Sequence, residues 1–496
     1  MGLAKDTAIY GLSSIIGRFL NWCLVPLYTN IFSTEAYGVV TFVYSIVALA
    51  LIILTYGMET GFFRFANHER WHDPMQVYST ALVSLASTGT VFFIAVLLFL
   101  DPLTRWMECA PHTSWVWIMA LCVAVDAFTA LPFCYLRYRK RPVRFAVIKL
   151  VNIALNIGLN LFFLILCPWL DSRCPGAVDW CYRPDYGVGY IFISNLIASV
   201  VTLVMLLPEL RGFRIDFCFK LWREMIVYSA PLLVLGVAGI MNQTLDKILL
   251  PSLSTAPDPM QELGIYGANY KIAIVMVMFI QAFRFAYEPF IFAQSKEKGA
   301  DANAAYCRAM KYFVITALFI FLGVMFFLPV FKYFISPRYF SGLAVVPVVM
   351  IAELCFGIFF NLSVWYKLSD RTVWGMWFSL GGLAVTIIMN VLLVPRYGYM
   401  GCAWAALSCY ALMMIASYII GQYKYPIDYP VRRLGLWTLF AAALYVLGVY
   451  VLDFSSMWLN YAVRSLLLAL FVAAVVRCEG LKLNALVEPV LHKLRL

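Results

Sequence analysis

Long apolar stretches follow one another along almost the whole chain, separated by short polar segments. Each stretch holds roughly 20 residues with few charges, which is the length that an α-helix needs to cross the hydrocarbon core of a bilayer. The pattern predicts an all-α polytopic membrane protein with about fourteen transmembrane helices. The predicted spans are 7–30, 36–62, 76–100, 113–134, 145–168, 187–208, 224–252, 264–292, 309–335, 344–367, 373–394, 400–421, 434–453 and 457–476.

Lysine and arginine residues are concentrated in alternate loops between these spans. By count, roughly 25 lie at the two termini and in the even-numbered loops, whereas about 6 lie in the odd-numbered loops. The predicted inside loop at residues 137–144 is the most basic, and the first predicted outside loop, residues 30–37, has no basic residue. Because basic loops remain in the cytoplasm, both termini are expected to be cytoplasmic.

Composition supports a membrane protein and argues against a nucleic-acid-binding one. Hydrophobic residues make up 63% of the chain and charged residues 13%, whereas a soluble domain has about 25% charged residues. The net charge of +11 is spread over short loops rather than gathered in one patch. Basic residues in such loops set topology and contact anionic lipid, so no nucleic-acid partner is expected.

Short sequence patterns recur between two portions of the chain. Gly38 and Gly267 each follow a tyrosine at the start of spans 2 and 8, and Asn160 in span 5 matches Asn390 in span 11. Internal repeats of this kind are typical of transporters. They predict two pseudo-symmetric six-helix lobes and two additional C-terminal helices, with boundaries at residues 1–220, 221–423 and 424–496.

Several basic residues lie inside predicted spans, where charged side chains are costly and usually functional. Arg18 lies about 11 residues into span 1, or roughly 16 Å from its start and close to the bilayer midplane. Asn21 shares its helix face. Arg18 either contributes to a polar cavity or is satisfied structurally by Glu59 or backbone carbonyls. The basic residues within spans are Arg18, Lys149, Lys247, Lys271, Arg284 and Arg464.

Span 5 carries a polar stripe in which Lys149, Asn152, Asn156 and Asn160 recur at helical spacing. This face is expected to avoid lipid. Two interpretations stand: the stripe lines a cavity for a hydroxyl-rich ligand, or the asparagines bond to neighbouring helices. Asp126 in span 4 is the expected partner of Lys149, because a short loop joins the two spans.

The second predicted lobe contains two further polar groups. Asp246 and Lys247 in span 7 are expected to form a cluster with Lys271 in span 8. Arg284 and Glu288 are spaced to pair with each other along span 8, and they could instead contribute to a binding surface.

Cysteine and histidine patterns predict neither a disulfide framework nor a metal site. Of 13 cysteines, only Cys174 and Cys181 share a predicted outside loop, where a local disulfide is an open alternative to two thiols. His68 and His72 fit the H-E-x-x-H pattern, but a short loop with a proline immediately after it does not provide the helix that zinc proteases require. No nucleotide-binding motif occurs, so neither a metal nor a cofactor is expected.

Several motifs resemble those of bacterial lipopolysaccharide or polysaccharide flippases, which belong to the multidrug/oligosaccharidyl-lipid/polysaccharide (MOP) superfamily. The resemblance covers nearly the whole chain. The motifs that carry it are Gly17-Arg18-Phe19-Leu20-Asn21, Val25-Pro26-Leu27-Tyr28-Thr29, Tyr56-Gly57-Met58-Glu59-Thr60, Phe62-Phe63-Arg64-Phe65 and Val394-Pro395-Arg396-Tyr397-Gly398-Tyr399-Met400-Gly401.

The resemblance implies a cavity between two six-helix lobes and movement of an undecaprenyl-diphosphate-linked oligosaccharide across the bacterial inner membrane for O-antigen or other surface polysaccharide synthesis. It implies a diphosphate-binding role for Arg18, with Arg64 assisting at the cavity entrance. Membrane lipids and a polysaccharide polymerase or assembly machinery are the expected partners of a monomer. The wider expected substrate-binding set is Arg18, Asn21, Arg64, Lys149, Asn152, Asn156, Lys247, Lys271 and Arg284.

Two other functions compete with flipping. A cation-coupled antiporter for drugs or metabolites would use an acidic residue as its proton or sodium site, although a basic cavity disfavours cationic solutes. A membrane-embedded polysaccharide polymerase or ligase would usually display a large catalytic outside loop, and none is predicted here. The candidate ion-coupling residues are Glu59, Asp126, Asp246 and Glu288.

Overall fold

The computed structural model describes residues 11, 15–67, 71, 73–109, 112–213, 217–294, 300–369, 371, 373–452 and 454–480. Within these residues the chain is helical and contains no β-strand. The helices are α1, Val25–Ile31, preceded by helical residues 15–22; α2, Thr34–Ala66; α3, Pro74–Leu98; α4, Thr113–Tyr138; α5, Pro142–Arg173; α6, Gly189–Leu210; α7, Phe219–Leu253; α8, Pro259–Gln294; α9, Ala300–Phe326; α10, Val345–Leu368; α11, Val373–Tyr397; α12, Tyr399–Lys424; α13, Val431–Val451; and α14, Met457–Glu479. Shorter helical segments are Leu100–Trp106, Pro184–Tyr186, Leu328–Phe331, Lys332–Phe334 and Pro337–Gly342.

Thirteen helices in the described part of the chain, α2 to α14, are long and apolar enough to cross a membrane. Each coincides with a predicted span, so the all-α polytopic prediction is confirmed. The first predicted span, 7–30, includes residues outside the described part, and its described portion is helical at 15–22 and from Val25.

Local sequence explains where several helices begin. The Ser33 hydroxyl accepts a hydrogen bond of 3.2 Å from the backbone N–H of Ala36 at the start of α2. The Asp73 carboxylate accepts one of 2.8 Å from the N–H of Met75 at the start of α3, next to Pro74. Such caps satisfy backbone donors that have no partner within the helix.

Helix α2 is interrupted where the chain turns at Tyr56 and Gly57. Both residues have left-handed backbone conformations, with φ of 31° and 73°. The second half of the helix, Met58–Ala66, therefore presents Glu59 and Arg64 in an orientation that a continuous helix would not give them. Two other helices contain π-helical turns, at Phe162–Leu166 and at Leu447–Val451.

The chain forms two compact units. The first contains Met1–Lys271, Arg338–Val345 and Val373–Cys409, and the second contains Ile272–Pro337, Val346–Thr372 and Tyr410–Leu496. These units reflect spatial proximity, whereas the predicted boundaries at 220 and 423 refer to a sequence repeat and remain a prediction.

In the first unit, α2 and α8 cross with their backbones in close contact. A Cβ on Gly264 would lie 1.8 Å from the Thr34 carbonyl oxygen, and one on Gly38 would lie 2.0 Å from that of Met260. In a membrane, where lipid is as apolar as a side chain, small residues allow such close van der Waals packing between helices. Of the two glycines in the sequence repeat, Gly38 therefore lies at this helix crossing and Gly267 lies beside it.

In the second unit, Arg464 of α14 is buried among α9 and α13. Its guanidinium donates to the backbone oxygens of Gly448, at 3.0 Å, and Phe326, at 3.3 Å. The Lys311 ammonium of α9 pairs with Glu479, which also accepts a 3.1 Å hydrogen bond from the Trp437 indole. These contacts join three helices through polar groups that would otherwise be costly in lipid.

Candidate functional site

The helical segment of residues 15–22 and α8 meet in the first unit at a backbone contact of Lys271. The indole N–H of Trp22 donates a 2.7 Å hydrogen bond to the carbonyl oxygen of Lys271. Arg18 lies four residues before Trp22 in the same helix, and residues at this spacing share one helix face. Arg18 is thus one helical turn from the contact, and both Arg18 and Asn21 are exposed.

Lys247 and Asp246 form an ion pair near this region. The Lys247 ammonium lies 3.1 Å from the Asp246 carboxylate and donates to the carbonyl oxygen of Gln243 at 2.8 Å. It also lies 4.3 Å from the centroid of the Tyr270 ring. The buried Asp246 accepts a second hydrogen bond, of 2.5 Å, from the Tyr266 hydroxyl. This carboxylate is therefore neutralised locally by Lys247.

Lys271 differs from Lys247 because the described part of the chain gives it no acidic partner. Among the described residues no carboxylate oxygen lies within 4.0 Å of its ammonium group. The charged residue that acts on it is another cation, Lys247. Since Lys271 is half-buried and about 12 residues into α8, or roughly 18 Å along the helix, it holds an uncompensated positive charge deep in the span.

The asparagines of α5 connect helices instead of projecting into open space. Asn152 donates to the Thr202 hydroxyl at 2.9 Å. Asn156 donates to Asn195 at 3.1 Å, and Asn160 donates to the Asn156 side chain at 2.8 Å. The Tyr28 hydroxyl donates to Asn160 at 3.0 Å. Of the two interpretations of the stripe, interhelical bonding between α1, α5 and α6 accounts for these amides.

Lys149 does not form the expected close ion pair with Asp126. Its ammonium lies 4.1 Å from the centroid of the Phe133 ring, and the two charges attract each other only at longer range. Asp126 instead contacts the Cys122 thiol at 3.8 Å and accepts a hydrogen bond from Ser199. The short loop between α4 and α5 brings the two side chains near each other, but the aromatic ring is the direct partner of Lys149.

The second half of α2, Met58–Ala66, carries two charged side chains. One of them forms an ion pair, and the other lies against an aromatic ring. Glu59 forms a 3.1 Å ion pair with Arg137 of α4, and the Cys134 thiol donates to the same carboxylate oxygen at 3.2 Å. The exposed guanidinium of Arg64 lies 4.1 Å from the Tyr228 ring centroid. Cation–π contacts of this kind hold a cation in place without cancelling its charge.

In the second unit, Arg284 and Lys367 approach the same aromatic ring. The Arg284 guanidinium lies 4.6 Å and the Lys367 ammonium 4.5 Å from the Phe360 centroid. The side chain of Glu288 lies outside the described residues, so the predicted pairing of Arg284 with Glu288 stays a prediction.

Of the two alternatives left open for Cys174 and Cys181, a local disulfide or two thiols, the structure has two thiols. Cys181 interacts with Cys167 instead. The loop conformation gives Cys181 this different neighbour. The residues of the H-E-x-x-H pattern lie outside the described part of the chain except for Trp71, and no cluster suited to a metal ion occurs among the described residues.

Aromatic partners of cations were the functional contacts that sequence reasoning missed. Tyr228, Tyr270, Phe133 and Phe360 each hold a basic side chain that the sequence placed within or beside a span. Their only sequence signal is the aromatic content of 17%, which does not identify individual pairs. Of these cations, Lys149 and Arg64 have no carboxylate oxygen within 4.0 Å among the described residues, and such groups can attract an anionic ligand.

A protein-family model matches the sequence of this chain, and solved structures of transport proteins share its fold. A family model described as polysaccharide biosynthesis protein matches residues 3–295. Among solved structures, the lipid II flippase MurJ in an inward closed conformation is similar with a TM-score of 0.73 and 13% identity, over 94% of this chain and 98% of that one. An inward-facing multidrug resistance MATE family transporter of the MOP superfamily is similar with a TM-score of 0.65 and 13% identity, over 88% and 96% of the two chains. At these identities the similarity shows a common fold. No curated protein matches by sequence.

Proposed function

Because the chain belongs to the polysaccharide biosynthesis protein family, we propose that this multi-pass membrane protein is a lipid-linked oligosaccharide flippase. It moves undecaprenyl-diphosphate-linked polysaccharide repeat units from the cytoplasmic to the periplasmic leaflet of a bacterial inner membrane by alternating access. The product supplies surface polysaccharide or lipopolysaccharide synthesis, including O-antigen. Both termini are cytoplasmic, and the lobes correspond to the sequence repeats ending near residues 220 and 423.

Positive charge that no carboxylate cancels is the observation that supports this proposal. Within the described part of the first unit, Arg64, Lys149 and Lys271 have no carboxylate oxygen within 4.0 Å. A diphosphate carries its charge into a membrane only where protein groups replace water. The Trp22–Lys271 contact supports a shared role for Arg18 and Lys271 in binding that headgroup.

The oligosaccharide and the polyprenyl tail place opposite demands on the protein. Sugar hydroxyls lose several kcal/mol for each hydrogen bond that is not replaced in hydrocarbon, whereas the tail is readily dissolved in lipid. Exposed Asn21, on the face of the helical residues 15–22 that carries Arg18, offers an amide to the sugar. The asparagines of α5, in contrast, are engaged with other helices and are assigned a structural role.

The decisive experiment is a flipping assay in liposomes with a defined lipid-linked oligosaccharide. We expect Arg18→Ala and Lys271→Ala each to reduce the flipping rate at least tenfold, because each removes a charge from the proposed diphosphate site. Arg18→Lys should restore part of the rate, since an ammonium attracts the diphosphate but lacks the bidentate geometry of a guanidinium. Lys220→Ala, which removes an exposed cation at the start of α7, is the matched control. Normal flipping by both Ala variants would refute the proposal.

A cation-coupled multidrug or metabolite antiporter is the second candidate, favoured by the environment of Asp126. This acid in α4 has no basic nitrogen within 4.0 Å among the described residues and is contacted by Cys122 and Ser199. Such a carboxylate can exchange a proton or sodium ion. Asp126→Asn should abolish gradient-driven efflux of a cationic dye if this function is correct, whereas a flippase would show no such efflux before the substitution.

A further inference from the structure

A groove with a basic rim and apolar walls lies where α5 begins and α6 ends in the first unit. Its volume is about 670 Å³. The basic residues are Lys140, Arg141 and Arg144, and the apolar walls include Val143, Val147 and Met205. The proposed flipping site does not use any of these residues. Their position in the most basic loop places the groove at the membrane boundary predicted to be cytoplasmic.

The charges around the groove do not cancel. Glu209 is buried, and one of its carboxylate oxygens lies 2.9 Å from Arg144 and 3.8 Å from Arg141. Three cations and one carboxylate leave two positive charges on the rim. The guanidinium side chains of Arg141 and Arg144 are 47% and 36% exposed, so a ligand can reach both.

The backbone presents these side chains in a conformation that ordinary residues avoid. Lys140 has a left-handed backbone with φ of 52°, which is unfavourable for a residue with a Cβ. Its N–H donates to Arg137 and the N–H of Arg141 donates to Leu136, each at 3.0 Å. The turn directs the chain into α5. No side chain at Arg141 caps the first backbone N–H groups of this helix. These N–H groups therefore add positive potential beside the basic residues of the groove.

The walls of the groove suit hydrocarbon. Val143 is 65% exposed at the start of α5, next to the basic rim, and Val147 follows one turn deeper. A ligand that combines a negatively charged phosphate with an acyl chain matches both surfaces at once. Basic pockets between transmembrane helices on the cytoplasmic side bind acidic lipid headgroups by this combination.

We propose that this groove binds an acidic phospholipid of the surrounding membrane. The phosphodiester lies between Lys140, Arg141 and the uncapped start of α5, and one acyl chain lies along Val143, Val147 and Met205. Lipid bound here stabilises the turn between α4 and α5. The lipid is distinct from the transported substrate.

Native mass spectrometry of the purified full-length protein tests the assignment. The probes are phosphatidylglycerol and phosphatidylcholine with identical acyl chains, so that only headgroup charge differs. We expect the wild-type protein to retain phosphatidylglycerol at least tenfold more tightly than phosphatidylcholine. Loss of one rim charge should weaken phosphatidylglycerol binding about fivefold, and loss of two about 25-fold. The preference should decrease as ionic strength rises.

The variants are Lys140→Asn alone and Lys140→Asn combined with Arg141→Gln. Asparagine tolerates a left-handed backbone, so the turn is retained without the charge. Arg432→Gln, which removes an exposed cation at the start of α13, is the matched control and should bind lipid like the wild type. The single variant serves as the test if the double variant does not fold. Equal retention of the two lipids, unchanged binding by the single variant, an equal loss in the control, or displacement by millimolar inorganic phosphate would each overturn the proposal.

Discussion

Several basic side chains among the described residues are held by one of three kinds of partner, and the partner determines whether the charge remains available. Carboxylates neutralise Lys247 and Arg137. Aromatic rings hold Lys149 and Arg64 and leave their charge intact. Backbone carbonyls hold Arg464 and bury it. We therefore assign structural roles to the first and third groups, and we assign ligand binding to the second group together with Arg18 and Lys271 of the proposed diphosphate site.

Substitution of Arg464 by methionine tests the structural role of the third group. We expect the free energy of unfolding to fall by about 2 kcal/mol, because the carbonyl oxygens of Gly448 and Phe326 lose their buried donor. Thermal unfolding of the purified protein in detergent measures this change. Arg477→Met, at an exposed position of the same helix, should leave stability nearly unchanged. Flipping per folded molecule should be normal in both variants, and a selective loss of flipping by the Arg464 variant would contradict this role.

At the scale of helices, the apolar pattern predicted thirteen of the described spans, twelve of them to within about five residues at each end. The exception is α9, which begins and ends nine residues before the predicted span 309–335. The pattern succeeded because the bilayer imposes one length and requires backbone hydrogen bonds to close within each helix. It did not predict the break in α2, because Tyr56 is not a residue that signals a left-handed turn. It also did not predict the ion pair of Glu59 and Arg137, which lie 78 residues apart in sequence.

The crossing of α2 and α8 depends on the absence of side chains at two glycines. We expect Gly38→Ala and Gly264→Ala each to reduce the yield of folded protein severely, because the new Cβ atoms would lie 2.0 Å and 1.8 Å from carbonyl oxygens of the opposite helix. Yield and monodispersity on size-exclusion chromatography measure the effect. Gly158→Ala in α5, where the added Cβ would meet no atom within 4 Å, should behave like the wild type. Normal yield of both crossing variants would show that the helices can separate without cost.

The amide chain through α5 gives a second test at the scale of helices. Asn156→Ala removes the hydrogen bonds to Asn195 and from Asn160. The bond to Asn195 joins α5 to α6, and the bond from Asn160 lies within α5. Side-chain hydrogen bonds in membrane proteins contribute on average about 0.6 kcal/mol each, so we expect stability to fall by about 1 kcal/mol. Asn21→Ala should instead slow flipping and leave the unfolding temperature unchanged, since Asn21 is exposed. If Asn156→Ala instead slowed flipping without lowering stability, the α5 amides would be assigned to ligand binding.

At the scale of the whole molecule, the proposed flipping of an anionic headgroup by a cationic site implies sensitivity to membrane potential. An inside-negative potential favours outward movement of an anion by about 2.3 kcal/mol per charge per 100 mV, and it favours inward return of an empty cationic site. Both halves of the cycle are then driven in the productive direction without ATP. Lys271 is expected to contribute most to this sensitivity, because its charge lies far from both ends of α8 and has no acidic partner in the described part of the chain.

Proteoliposomes with a potassium gradient and valinomycin allow the potential to be varied while sodium and proton gradients are held constant. We expect the flipping rate to increase as the cytoplasmic side becomes more negative and to fall below its zero-potential value when the potential is reversed. Lys271→Gln should reduce this dependence, because the empty site would then return with one positive charge fewer. If the flipping rate does not respond to the potential, an ion gradient must drive the cycle instead. Asp126 would then be the first residue to test as the ion-binding site, because its carboxylate has no close basic partner among the described residues.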